Sequence, residues 1–241
     1  MTLPPGILLS GQHYLEGQLL FKAELELPAG EWTCLLGRSG VGKSTILRLI
    51  LGLETGGRFE GSIAASDGVP LDRRIGYMAQ SDLLLPWLTV LENICIGARL
   101  RGTAPDLERA QVLLDRVGLA DRAGAKPAAL SGGMRQRAAL ARTLMEDQPV
   151  VFLDEPFSAL DAGTRADMQE LAVEVLAGRT VLLVTHDPAE ATRLADQIIV
   201  LSAAGAAPWP VPASPPLRSL SDPETLSCQT RLLDHLRGVT V

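Results

Sequence analysis

Residues 18–27 place Leu19, Phe21, Ala23, Leu25 and Leu27 at every second position, with charged residues among the alternates. A period of two predicts a strand with one buried face. Residues 32–36, 150–153, 180–184 and 197–201 are short, predominantly apolar runs. Such runs suit strands buried on both faces, as in a parallel sheet. Between them the period lengthens. A helix is predicted from Lys43, turning Ile46, Leu47, Leu49 and Ile50 inward and ending near Gly52. Another opens with Pro105 in its first turn, carries Leu107, Ala110, Leu114 and Val117, and stops at Gly118. Further helices are expected from just after Ser131 to about Glu146, over residues 162–176 and over 188–195. Strand and helix alternating in this way predict parallel βαβ units.

The pattern dissolves after Ser202. Residues 203–216 are rich in Ala and Pro and read as a linker or surface-hugging extension. Residues 222–236 fit a short terminal helix with Leu226, Leu232, Leu233 and Leu236 partly buried. The first ten residues lack the charged and apolar regions of a signal peptide. No apolar run reaches the roughly 18 residues of a membrane span, so a membrane link would run through a partner. The 241 residues are 46% hydrophobic but only 4% aromatic, so the core must be aliphatic. A formal charge of −6 argues against a nucleic-acid binder, which needs a basic face. The three cysteines, Cys34, Cys95 and Cys228, show no metal-ligand spacing and cannot all pair.

Gly37, Arg38, Ser39, Gly40, Val41, Gly42, Lys43 and Ser44 match the phosphate-loop pattern between an apolar strand and a helix. The glycines let backbone N–H groups turn inward, Lys43 adds a charge at the β- and γ-phosphates, and Ser44 suits Mg²⁺. Asp154 and Glu155 end an apolar strand, where ligands of open α/β sheets bind. Asp154 would hold Mg²⁺, and Glu155 would polarise the attacking water. Ser131, Gly132 and Gly133 open a helix rich in Arg and Ala, an anion-binding arrangement.

Taken in order with Gln80, Asp161 and His186, these motifs resemble the ATP-binding cassette (ABC) family over about residues 7–201. The resemblance implies an α/β fold: a P-loop NTPase (RecA-like) core with an antiparallel β-subdomain and an inserted helical subdomain at about 82–147. The cassette would span 1–202, followed by a Pro/Ala-rich linker and a short helix in 203–241, with no large regulatory domain. It implies that two copies sandwich ATP, Ser131, Gly132 and Gly133 of one reaching the γ-phosphate held by the other. Thr45 extends the phosphate loop, Gln80 contacts Mg²⁺, His186 senses the γ-phosphate, and Asp161 links the two sites. Tyr14 would stack on adenine, with neighbouring His13 as a rival and a plain surface tyrosine as the alternative.

Within the family, QSDLLLPWLTVLEN (residues 80–93) resembles nitrate, sulfonate and taurine importers and related pyrimidine-precursor transporters. Residues 30–45, 77–94 and 130–147 look most like a hydroxymethylpyrimidine importer ATPase. Implied partners are a membrane permease and, indirectly, a solute-binding protein. The implied place is the cytoplasmic face of the inner membrane. A non-transport cassette ATPase acting on nucleic acid is the alternative of another class. Trp87, beside the stiff Pro86, is either a core plug or an anchor for the permease.

Overall fold

A computed structural model describes residues 4–202 and 205–238. The chain forms two compact units. The first takes in residues up to Ile75, Pro149–Asp154 and those from Gly178 onward; the second comprises Gly76–Gln148 and Glu155–Ala177.

In the first unit β1 (Ile7–Leu15) runs antiparallel to β2 (Gln18–Leu27) on one side and to β4 (Arg58–Ala65) on the other. Phe21, Ala23, Leu25 and Leu27 are buried, as the alternation predicts, but Leu19 is 53% exposed. A bulge explains the difference. The register shifts between His13 and Tyr14, so Phe21 faces His13 while Leu19 faces Tyr14.

The second sheet of this unit has the strand order β6 (Val150–Asp154), β7 (Thr180–Thr185), β3 (Trp32–Gly37), β8 (Gln197–Ser202) and β9 (Gly205–Trp209). The first four are parallel. Every residue of β3, β6 and β7 is buried, as central parallel strands require. Helices α1 (Lys43–Ile50) and α7 (Pro188–Leu194) also belong here, with Ile46, Leu47 and Ile50 of α1 buried. So does the C-terminal α8 (Pro223–Arg237).

The expected linker is corrected by the structure. Residues 203 and 204 lie outside the described residues, but β9 pairs antiparallel with β8, Ile198 facing Trp209. Composition hid this strand because proline and alanine are poor strand formers. On α8, Cys228 and Leu232 are buried, whereas Leu226 and Leu233 are 46% and 40% exposed.

The second unit begins within β5 (Ile75–Met78) and is otherwise helical: α2 (Val90–Ile94), α3 (Ile96–Leu100), α4 (Leu107–Arg116), α5 (Gly132–Met145) and α6 (Ala162–Val175). Short 3₁₀ turns at Ala120–Arg122 and Pro127–Ala129 precede α5. Asp106, not Pro105, starts α4, its carboxylate accepting the Arg109 N–H at 2.9 Å. Leu107 is therefore outside the stripe and 58% exposed, while Ala110, Leu113, Leu114 and Val117 are buried. All three cysteines are free and buried, and burial pushes the Cys34 thiol well above its usual range.

Candidate functional site

In the first unit, β3 delivers the chain to Gly37, where a Cβ would come within 2.5 Å of the Leu201 carbonyl. The loop then turns through Gly40 and Gly42, at φ +82° and +110°. Gly42 caps α1 with no side-chain hydrogen bond. The first-turn N–H groups therefore remain directed at the loop, the arrangement that binds phosphate. Lys43 is buried, and its Nζ donates to the carbonyls of Gly37 at 2.8 Å and Arg38 at 3.1 Å. Arg38, Ser39 and Gly40 are exposed, and Val41 and Thr45 are half-buried.

Ser44 Oγ donates to Asp154 Oδ2 at 3.3 Å. A hydroxyl and a carboxylate this close offer two of the six oxygens that suit Mg²⁺, which keeps waters and phosphate oxygens as its other ligands. Among the described residues no cluster of three or more His, Cys, Asp or Glu could hold a metal by itself.

His186 follows β7 and is exposed. Its flanks are fixed: Thr185 Oγ1 donates to Glu190 Oε2 at 2.7 Å and accepts the Asp187 N–H at 3.0 Å. Tyr14 is half-buried, with its hydroxyl donating to Gln12 and the Arg58 guanidinium 5.8 Å from its ring centroid. His13 is withdrawn as its rival. It is fully buried, stacked on Phe21 with ring centroids 5.7 Å apart, and held by Thr55 Oγ1 at 2.8 Å.

In the second unit, Gln80 Nε2 donates to Glu155 Oε2 at 3.2 Å. Glu155 has φ +50°, a left-handed backbone that a non-glycine residue holds only when its surroundings enforce it. Gln136 supplies the enforcement. Its Nε2 donates to the Glu155 carbonyl at 3.0 Å, and its Oε1 accepts the Ala159 N–H at 2.8 Å. Ser158 Oγ adds a second donor at 3.1 Å. The supporting role of Gln136 was missed in the sequence. The available signal was a lone glutamine on the face of α5 that buries Ala139, Leu140 and Thr143.

Ser131 caps α5, accepting the Met134 N–H at 3.3 Å, and Ser131 and Gly132 are exposed. Gly133 sits where a Cβ would be 3.2 Å from the Ala159 carbonyl. Asp161 caps α6, and the Thr164 N–H holds its carboxyl below the usual range. The segment after Gln80 is fastened to α5: Arg135 Nε reaches Asp82 Oδ2 at 3.0 Å, and Arg142 donates to the carbonyls of Asp82 and Leu83. The Pro86 turn is held by buried Asn93, which accepts the Leu85 N–H at 2.7 Å. Trp87 is 66% exposed and Leu83 60% exposed, so Trp87 is not a core plug. Trp87→Ala is therefore expected to shift the melting temperature by less than about 2 °C and to leave ATP affinity unchanged. A calorimetric fall well beyond that would return Trp87 to the core.

A phosphate loop on a buried parallel strand, with an acidic strand end beside its serine, defines a P-loop nucleoside triphosphatase. Residues 20–158 match the ABC transporter family, and the chain belongs to it. It is a transport ATPase of that family. An uncharacterized ABC transporter ATP-binding protein of Haemophilus influenzae is 48% identical over 188 residues, 77% of either chain. The aliphatic sulfonates import ATP-binding protein SsuB of Ralstonia nicotianae is 48% identical over 197 residues, 79% of this chain and 66% of that one. Among solved structures, the ATP-binding cassette MJ0796, a dimer in a post-hydrolysis state with ADP and Pi, is 30% identical with a TM-score of 0.72. That likeness covers 89% of this chain and all of MJ0796.

Proposed function

We propose that the chain is the energy-coupling ATPase of an importer for small organic anions of the aliphatic sulfonate kind. The carrying observation is the 48% identity to a sulfonate import ATP-binding protein across most of the chain. This relative favours the sulfonate alternative over the hydroxymethylpyrimidine importer suggested by residues 30–45, 77–94 and 130–147. The test is ATP turnover in lipid with a sulfonate-type permease and its solute receptor. Stimulation by an alkanesulfonate supports the reading; stimulation by hydroxymethylpyrimidine alone overturns it. Stimulation by DNA instead would move the chain to the non-transport class.

Lys43 and the α1 N-terminus would hold the β- and γ-phosphates. Ser44, Asp154 and Gln80 would ligate Mg²⁺, which neutralises phosphate charge when bound. Glu155 would accept a proton from the attacking water, with Gln80 orienting its carboxylate. His186 would contact the γ-phosphate, and Tyr14 would stack on adenine. Ser131, Gly132 and Gly133 would serve ATP held by a second copy, and Asp161 would link the two sites. Exposed Trp87 and Leu83 would receive the permease at the cytoplasmic membrane face. Among the described residues no helix is long and apolar enough to cross a membrane, so the permease would carry the transport path.

Each ATP would then need Lys43 from one copy and Ser131 from another. ATP should therefore act as the glue. Light scattering is expected to give the monomer mass without nucleotide, and twice that mass for Glu155→Gln with ATP. A monomer in both conditions would count against the sandwich. The MJ0796 dimer is the supporting precedent.

A further inference from the structure

The C-terminal segment enters the first unit through a buried guanidinium. Arg218 is 5% exposed. Its Nη1 donates to the carbonyls of Thr192 at 3.0 Å and Ala195 at 2.7 Å, and its Nη2 to Pro212 at 3.2 Å. Its backbone N–H donates to the Arg193 carbonyl at 3.1 Å. Leu217 just before it has φ +64°, a costly backbone for a leucine, which turns the chain inward at this point. One residue thus satisfies three carbonyls at the end of α7. A cation is favoured there because the helix dipole is negative at its C-terminus. Burial pushes the guanidinium pKa down, yet arginine keeps its proton in proteins.

The opposite end of α7 carries the turn with His186. Asp187 caps the helix, accepting the Ala189 N–H at 2.8 Å, and Glu190 takes the Thr185 hydroxyl. With seven residues, about two turns, α7 is too short to absorb a shift along its axis by bending. Beyond Arg218's anchor, Asp196 Oδ2 accepts the Trp32 N–H at 2.9 Å, which ties the same corner to the start of β3. We propose that Arg218 is a positioning residue for His186. By holding the last carbonyls of α7 it sets where the helix sits along its axis, and so where the imidazole is presented. The proposal rests on the reading of His186 as a γ-phosphate contact.

The test is a double-mutant cycle on the purified full chain with Arg218→Met, His186→Ala and both, reading ATP turnover, ATP affinity and melting temperature. The expected result is a fall in kcat of about tenfold for Arg218→Met with ATP affinity unchanged. In the His186→Ala background the same change should cost nothing further. Full turnover by Arg218→Met beside an impaired His186→Ala overturns the proposal alone. So does an equal loss in both backgrounds, which marks a purely structural role. Normal turnover by His186→Ala removes the histidine reading and the proposal with it. If Arg218→Met melts below the assay temperature, Arg218→Lys, which keeps the charge without the fork, is carried through the same cycle.

Discussion

Glu155→Gln is expected to lower ATP turnover by about 10²–10⁴ while ATP binding persists, the loss typical of removing a general base. The amide is isosteric, so the local structure should survive. The left-handed turn at Glu155 is held through its backbone carbonyl by Gln136 and Ser158, a contact that the substitution leaves in place. Gln80 keeps a partner, because an amide oxygen still accepts its N–H. What disappears is the capacity to take a proton. Phosphate release, measured beside titration with a fluorescent ATP analogue, separates the two effects. Turnover near the original rate in a permease complex would remove Glu155 from the role of base.

The second large effect is expected at Gly42. A Cβ there would lie 2.7 Å from Cδ1 of Phe21, inside any normal contact distance, and φ +110° lies outside the left-handed region open to other residues. Phe21 cannot yield easily, since it is fully buried and stacked against His13. In Gly42→Ala the phosphate loop itself must move, and ATP turnover is expected to fall by about 100-fold, on the order expected from a 1 Å misplacement. Gly40→Ala is the control. Gly40 also has positive φ, but no atom within 4 Å would meet its Cβ, so only the local backbone is strained. Equal losses of turnover at the two positions would show that loop strain, and not the Phe21 wall, is responsible.

Continuous apolar runs read well in the sequence because a strand buried on both faces leaves no ambiguity about its environment. β3, β6 and β7 fall within a residue of the pattern. Leu19 and Leu107 show where periodicity misleads. A bulge and a cap each cut the apolar repeat one residue short, and neither alters composition. The phosphate loop and the paired carboxylates were legible because phosphate chemistry fixes both residue type and spacing. The supports were not. Gln136, Asn93, Arg142 and Arg218 act through backbone carbonyls and amides far along the chain, and a carbonyl leaves no trace in a sequence. His13 was opaque for a related reason: adjacent residues on a strand face opposite ways, and the bulge decides which faces in.

β9 matters for anyone who shortens this protein. Composition invites a cut at residue 202, where the cassette pattern ends. That cut would strip the partner from β8, whose residues Ile198, Ile199, Val200 and Leu201 are all buried. An uncovered, continuously apolar edge is a template for pairing with other chains. β9 is a safer border: it is five residues long and carries Pro208, which offers no N–H for a further strand. The stretch that reads as dispensable is the guard that keeps the central sheet from growing between molecules. Tags and fusions belong beyond α8, and low solubility of a truncated chain would report on that lost border before it reported on the ATP site.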